Sequence, residues 1–221
     1  MPSHLKYFVG SRDFKSAIMS NMKLNWTLEK VFPWIMVIIG IIGLTSSLIL
    51  THDTLAINAN PNYVPSCNIN PIVSCGNVIS YKGDNIFGLP YPFYGVAAFS
   101  VVVTLGVSLL ANAKFKKWFW LSFQTVVTLG LAAAYAMLLK SIYSIHALCP
   151  FCLTIDVATT TLFWYTTLYN ADHGLIDKRF PNNRWYKLIR KHHLDILILW
   201  ILVLAVAIIK HFWYYYGKHF F

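Results

Sequence analysis

The four cysteines of this chain are arranged in two pairs, and thiol–disulfide exchange is the chemistry that such pairs perform. Cys67 and Cys75 lie eight positions apart in a polar stretch, whereas Cys149 and Cys152 form a Cys-Pro-Phe-Cys motif beside an apolar run. A disulfide moves when a thiolate attacks one of its sulfurs, so two dithiol pairs that meet can pass two electrons between them. The spacing therefore indicates an electron relay.

The two pairs differ in the backbone that must hold them. Cys149 and Cys152 are three apart, with Pro150 where the first turn of a helix tolerates proline. Residues at this spacing lie about 5–6 Å apart on one helix face, and a helix N-terminus favours the reactive thiolate. Cys67 and Cys75 flank Pro71, so a loop must bring them together. We expect a mobile outer pair and a fixed inner pair.

Two other uses of four cysteines remain open at this stage. The Cys-x-x-Cys motif is a common half-site for structural zinc, but the second half here would have the unusual spacing of Cys67 and Cys75. Two structural disulfides are the other alternative. A disulfide within one helical turn constrains the chain very little, which makes the inner pair a poor staple.

The composition predicts an integral membrane protein. Hydrophobic residues make up 57% of the chain and charged residues 12%, against about 25% charged residues in a typical soluble domain. Segments without backbone partners in lipid must be helical, so we predict an all-α membrane protein with one helical bundle. Five stretches have about the length needed to cross a bilayer. They are Val31–Leu50, Pro92–Ala111, Trp118–Ile142, Phe151–Tyr169 and Leu194–Tyr216.

The lysines and arginines predict the orientation of these spans. Fourteen of the eighteen precede the first span, separate the second from the third, or separate the fourth from the fifth. The positive-inside rule then places the N-terminus in the cytoplasm and the cysteines outside, where disulfides persist. The net charge of +10 therefore reflects topology and anionic lipid, and nucleic-acid binding is not expected. Tryptophans predicted to lie at the membrane interface are Trp34, Trp118, Trp120 and Trp213.

These spans divide the chain into three predicted regions. Residues 1–30 form a cytoplasmic segment, residues 31–216 form the membrane domain, and residues 217–221 form a short extracytoplasmic tail. The membrane domain carries an extracytoplasmic loop at residues 51–91.

Three motifs in a fixed order resemble the vitamin K epoxide reductase (VKOR) family, and the bacterial, actinobacterial-like members with five spans in particular. They are Ser66-Cys67-x-x-Asn70-Pro71-x-x-Ser74-Cys75, Ile86-Phe87-Gly88-Leu89-Pro90 and Leu148-Cys149-Pro150-Phe151-Cys152. The resemblance implies a four-helix bundle around a quinone, with a peripheral fifth helix. It implies menaquinone or ubiquinone as the electron acceptor.

The resemblance also assigns roles to the cysteines. Cys67 and Cys75 are implied to take electrons from a thioredoxin-like protein, Cys149 to exchange with Cys75, and Cys152 to face the quinone. Many relatives carry a fused thioredoxin-like domain after the fifth span, whereas this chain ends at Phe221. We therefore expect a separate thioredoxin-fold, DsbA-like partner.

The positions that contact the quinone in the animal enzymes differ here. An asparagine and a tyrosine of those enzymes correspond to Asp84 and Asp156, and Phe87 lies where the resemblance implies a wall of the quinone pocket. Asp156 follows Cys152 by four residues, hence on the same helix face. An intramembrane acid indicates a functional site, and this one could deliver a proton to the quinone. Alternatively, a hydroxyl of Thr159 or Thr160 satisfies it.

These observations predict a membrane thiol–disulfide oxidoreductase that reoxidises its extracytoplasmic partner and passes the electrons to quinone, which supports disulfide formation. Two alternatives remain. The first is a reductase whose main product is the reduced quinone or quinone epoxide. The second is a non-catalytic membrane protein with structural disulfides or zinc.

Overall fold

The structure is a computed structural model that describes residues 11–60, 62–80, 85–86, 88–174 and 184–213, with side chains from residue 30 onward except 85–86 and 184–185. It is helical apart from one short antiparallel hairpin, which confirms the predicted all-α class. The helices are α1 (Ser11–Ala59), α2 (Cys75–Ile79), α3 (Tyr91–Leu110), α4 (Lys117–Lys140), α5 (Pro150–Asp172), α6 (Arg184–Lys191) and α7 (His193–His211). The hairpin pairs β1 (Asn85–Ile86) with β2 (Leu89–Pro90), and a π-helical turn, Ser141–Ile145, extends α4.

Within the described residues, four helical segments are long and apolar enough to cross a bilayer. They are Lys30–Ala59, Tyr91–Leu110, Lys117–Ile145 and His193–His211, and they overlap the first, second, third and fifth predicted spans. The fourth predicted span lies within α5, which has 23 residues but is more polar. Whether α5 crosses the bilayer stays a prediction.

The polar residues of α5 are accommodated because this helix lies inside the protein. Nearly half of its residues are buried, among them the consecutive threonines Thr159, Thr160 and Thr161. The hydroxyls of these three donate to carbonyl oxygens four residues earlier, at 2.7–2.8 Å. A donor satisfied within its own helix does not need water. Helix α5 therefore combines a polar sequence with a central position.

Helices α1 and α5 pack against each other at the centre of the bundle. Helix α3 packs on α1, and α4 packs on α5. Glycine allows the close approach of α1 to α3, since a Cβ atom at Gly43 would lie 2.4 Å from the Phe99 ring. The space left between α1, α3, α4 and α5 is the cavity described below.

The aromatic residues near the N-terminus of α4 show that one of the four predicted interfacial tryptophans is buried instead. Trp34, Trp118 and Trp213 are exposed on the protein surface, as expected of interfacial residues. Trp120, predicted to be interfacial, is only 4% exposed, with its ring 4.6 Å from that of Tyr169. Helix α4 turns this side chain toward α5, because Trp118 and Trp120 lie about 200° apart around a helix.

Helix α6 is attached to the C-terminal end of α5 by a buried carboxylate. Asp172 accepts hydrogen bonds from the Tyr186 hydroxyl at 2.5 Å and from the Arg190 guanidinium at 2.6 Å. The Asp172 and Arg190 side chains are only 5% and 11% exposed. The basic linker before α7 is thus held against the bundle by a paired charge.

Helix α1 is longer than the predicted first span. The sequence placed the start of the loop at residue 51, whereas α1 continues to Ala59. The hydroxyls of Thr51 and Thr54 donate to the carbonyls of Ser47 and Leu50, so these polar residues remain compatible with the helix. The extension brings Asp53 next to the cysteine loop. The predicted end of the fifth span, Tyr216, lies outside the described residues.

The predicted orientation can be tested with two exposed positions at opposite ends of the bundle. In a variant without native cysteines, we expect Asn62→Cys to react with a membrane-impermeant maleimide in right-side-out vesicles. Ala113→Cys, between α3 and α4, should react only after permeabilisation, because the cation distribution places it inside. The reverse pattern would contradict the orientation. Native cysteines are unsuitable probes, since Cys67, Cys75 and Cys149 are buried.

Candidate functional site

A short backbone pairing holds the cysteine loop against the segment before α5. The Ser74 N–H donates to the Leu148 carbonyl at 3.0 Å, and the Leu148 N–H donates to the Ile72 carbonyl at 2.6 Å. Val73 and Leu148 thereby form an isolated parallel bridge. Cys75 directly follows Ser74, and Cys149 directly follows Leu148. The pairing of Ser74 with Leu148 therefore places the two cysteines side by side.

Asparagine and serine side chains shape the loop. The Asn70 side-chain oxygen accepts from the N–H groups of Ile72 and Val73 at 3.0 and 2.7 Å, which forms the turn around Pro71. The Asn68 oxygen accepts from the Ser74 hydroxyl at 3.1 Å and from the Gly76 N–H at 2.9 Å. Ser74 in turn caps α2. These bonds therefore brace the segment between the two outer cysteines.

The outer pair is oxidised and the inner pair is reduced. Cys67 is joined to Cys75 by a disulfide, and Cys149 and Cys152 are thiols. The Cys149 sulfur lies 3.3 Å from the Cys75 sulfur. Exchange requires a thiolate to reach a disulfide sulfur, and these sulfurs are already in contact. The structure thus brings together three of the predicted cysteines in the order Cys67, Cys75, Cys149.

Cys149 is the N-cap of α5, with Pro150 at the first helical position, as the sequence predicted. Its sulfur accepts the Cys152 N–H at 3.4 Å. Hydrogen bonding from the Cys152 side chain, together with the backbone N–H groups of Cys152 and Phe151, lowers the pKa of Cys149 despite its burial. The local fold therefore favours the thiolate at the sulfur that touches the disulfide.

In this arrangement the outer disulfide is enclosed. Cys67 is 6% exposed and Cys75 is fully buried, with Leu50, Val78 and Ala147 packed around them. A protein partner needs access to a sulfur, so it cannot react with Cys67 while the loop is docked in this way. The arrangement suits exchange within the chain.

A cavity of about 1080 Å³ lies between α1, α3, α4 and α5. Its walls are mainly apolar, and Cys149, Cys152 and Asp156 line it. The volume is at the upper end for small-molecule sites, and an apolar cavity with a few polar groups suits a hydrophobic ligand. A quinone ring with part of an isoprenoid tail fits this size and polarity, with the Cys152 thiol at the wall.

Asp156 is 7% exposed and lies on the cavity wall, one turn beyond Cys152. The threonines considered as its partners bond elsewhere: Thr159 donates to the Ile155 carbonyl, and Thr160 donates to the backbone carbonyl of Asp156 itself. Among the described residues, no side chain or backbone group hydrogen-bonds to the Asp156 carboxylate. The carboxylate is thus available to a ligand in the cavity.

The other two predicted quinone contacts, Asp84 and Phe87, lie outside the described residues. Their neighbours Gly88 and Pro90 line the cavity, so the hairpin reaches its wall. Gly88 has φ of +81°, a conformation that glycine adopts without strain. The described residues contain no cluster of three or more His, Cys, Asp or Glu that could hold a metal ion.

Sequence reasoning missed Asp53. This residue is 3% exposed, and its carboxylate lies 4.0 Å from the Cys67 sulfur. The sequence contained a signal for it, because an acid directly after an apolar span can mark a functional site, as was inferred for Asp156. The assumption that the helix ended at Leu50 placed Asp53 in a solvated loop.

The contact between Cys75 and Cys149 predicts a specific cross-link. In Cys67→Ala/Cys152→Ala only these two thiols remain, and mild oxidation should join them rapidly because their sulfurs are adjacent. Mass spectrometry of the digested protein would identify the linked peptides. The matched control, Cys67→Ala/Cys149→Ala, retains Cys75 and Cys152 and should form its disulfide much more slowly. Equal rates in the two variants would contradict the observed juxtaposition.

Comparison with known proteins places this architecture in a family. No curated protein gives a significant match to the chain. Residues 34–167 match the model of the vitamin K epoxide reductase family, a segment that runs from α1 into α5 and contains all four cysteines. The match covers more than half of the chain. This protein is therefore a member of the vitamin K epoxide reductase family.

Proposed function

We propose that this protein is a quinone-dependent disulfide oxidoreductase that reoxidises a thioredoxin-fold protein outside the cytoplasm. Members of its family are membrane oxidoreductases that use quinones. The observation that carries the proposal is the 3.3 Å contact between the Cys149 thiol and the Cys75 sulfur of the loop disulfide. A structural disulfide has no need of a thiol at this position.

The relay begins with a reduced dithiol partner, which converts the Cys67–Cys75 disulfide to two thiols and becomes oxidised. Cys75 then attacks Cys149 in an inner Cys149–Cys152 disulfide, which forms a Cys75–Cys149 bond and releases Cys152 as thiolate. Cys67 attacks Cys75, which restores the outer disulfide and releases Cys149. The structure corresponds to the state after this step, with the outer pair oxidised and the inner pair reduced.

The inner dithiol then gives two electrons to a quinone substrate in the cavity and becomes the Cys149–Cys152 disulfide, while the quinone takes up two protons to form the quinol. Cys152 lies on the cavity wall, whereas Cys149 also faces the loop, so we assign the contact with quinone to Cys152. Asp156 lies one turn deeper on the same wall and is the proposed donor of one of the two protons that the quinone takes up. The mainly apolar walls favour a lipid-soluble quinone such as menaquinone or ubiquinone.

The proposed partner is a separate DsbA-like protein, and the loop must leave its docked position for that protein to reach Cys67. The orientation proposed from the cation distribution puts this exchange outside the cytoplasm. We also propose that α5 crosses the bilayer as the fourth of five spans, with the membrane domain at residues 31–216.

The function predicts quinone-dependent oxidation of a purified dithiol protein. Wild-type chain in detergent should oxidise a molar excess of a reduced thioredoxin-fold oxidase only when quinone is present. Cys67→Ala should lose this activity but retain activity with dithiothreitol, because a small dithiol can reduce the inner pair directly. Cys152→Ala should lose both. Equal loss in the two variants with dithiothreitol would contradict the division between outer and inner pairs, and no quinone dependence would contradict the function.

The role of Asp156 has its own test. Asp156→Asn keeps the shape of the side chain but removes its acidic proton, so quinone reduction near neutral pH should slow at least about tenfold, since general acid catalysis contributes about 10²–10⁴-fold. The cross-link between Cys75 and Cys149 should form normally. Single-turnover mixing of reduced protein with quinone gives the rate. The control is Asp195→Asn, an exposed acid on α7. An unchanged rate for Asp156→Asn would show that this carboxyl has no role in proton transfer.

A further inference from the structure

A buried carboxylate lies beside the outer sulfur of the relay. Asp53, near the end of α1, has its Oδ2 atom 4.0 Å from the Cys67 sulfur, whereas the Cys149 sulfur contacts the other sulfur of the disulfide, that of Cys75. Its side chain is only 4% exposed. The carboxylate is therefore shielded from solvent. A charge acts more strongly on its neighbours in such a buried position than in water.

Two neighbouring side chains contact the Asp53 carboxylate. The Tyr63 hydroxyl donates to Oδ1 at 3.1 Å, and the ring of His52 lies 3.4 Å from the same oxygen. The hydrogen bond to Asp53 raises the pKa of Tyr63, so this phenol remains a donor over the physiological range. His52 is 74% exposed and connects the site to solvent. No other titratable side chain described here bonds to the Asp53 carboxylate.

We propose that Asp53 makes the exchange between the two cysteine pairs directional, because its charge disfavours Cys67 as a leaving thiolate. The inference rests on the relay proposed above and assigns to Asp53 a catalytic role at one of its reacting sulfurs. Cys149 has the opposite environment, with hydrogen-bond donors at a helix N-terminus directed at its sulfur. The two ends of the three-sulfur array therefore differ in how well they hold negative charge.

The forward step moves charge away from Asp53. Cys67 thiolate attacks the Cys75 sulfur of a Cys75–Cys149 disulfide, the Cys67–Cys75 bond forms, and the bonding pair leaves on Cys149. Each side of this step has one disulfide and one thiolate, so no further oxidant or proton is needed. A thiolate beside a carboxylate is more basic and hence more nucleophilic.

The reverse step would return electrons from the inner pair to the loop. Cys149 thiolate would attack Cys75 and expel Cys67 as thiolate within 4.0 Å of the Asp53 carboxylate. Leaving-group ability falls as the basicity of the leaving thiolate rises. Asp53 therefore retains electrons on the inner pair, next to the quinone cavity.

The partition of a single disulfide measures this effect. In Cys152→Ala, one disulfide is shared between Cys67–Cys75 and Cys75–Cys149, and acid quenching followed by alkylation and mass spectrometry gives the ratio of the two. Adding Asp53→Asn should shift the ratio about tenfold toward Cys75–Cys149 at about pH 9.5, where the released thiols ionise. At about pH 7 a larger share of free thiols is protonated, and the shift should be smaller.

Two matched variants separate charge from shape. Asp53→Glu keeps the charge and should partition like the parent at both pH values. Asp53→Ser removes the charge, as Asn does, and should shift the ratio in the same direction at high pH. It replaces Asp53→Asn in the measurement if the Asn variant does not fold. The Asp53 carboxylate also acts on Cys149, but as the weakest of the influences on that thiol, so it offsets only part of the shift.

The proposal is overturned if the ratio is unchanged at high pH, if it shifts equally at both pH values, or if Glu behaves like Asn. The measurement uses neither quinone nor a partner protein. A failure of quinone-dependent oxidation would therefore contradict the proposed function while leaving this result interpretable on its own.

Discussion

The site depends on two backbone hydrogen bonds that join the loop to the residue before Cys149. Pairing of Ile72 and Ser74 with Leu148 fixes the loop relative to α5, and the sulfurs of Cys75 and Cys149 meet because each directly follows this pairing. The bonds lie in a buried apolar cluster, where an unsatisfied backbone group would cost free energy. The docked loop therefore has a defined position, and its release requires that both bonds be replaced by water.

The central helix connects this contact to the cavity. Helix α5 begins at the sulfur that touches the loop, and one turn later presents Cys152 and then Asp156 to an apolar space. A helix this polar is stable inside the bundle because its threonine hydroxyls bond to its own carbonyls. In the proposed relay, electrons thus pass from the loop to the ligand through two cysteines of the first turn of this helix.

The electrostatics of the three adjacent sulfurs are asymmetric. Helix α1 extends past its apolar segment and carries a buried carboxylate to Cys67, while the N-terminus of α5 directs donors at Cys149. Negative charge is therefore disfavoured at the outer end and favoured at the inner end. A relay of thiols in identical environments would have no preferred direction. In the proposed relay, the direction therefore comes from this difference in environment and not from the spacing of the cysteines.

The membrane class and the helical fold could be predicted from the sequence alone, and so could the arrangement of the four cysteines in two pairs. These follow from local properties: the length of apolar runs, the lack of backbone partners in lipid, and a Cys-x-x-Cys motif whose proline suits a helix start. Three features became visible only in the folded chain: Cys75 and Cys149 are in contact, Trp120 is buried, and Asp53 lies beside Cys67 at the end of α1. Each of these depends on where a loop folds back or how a helix is rotated, and such long-range contacts leave no periodic signal in the residues that make them.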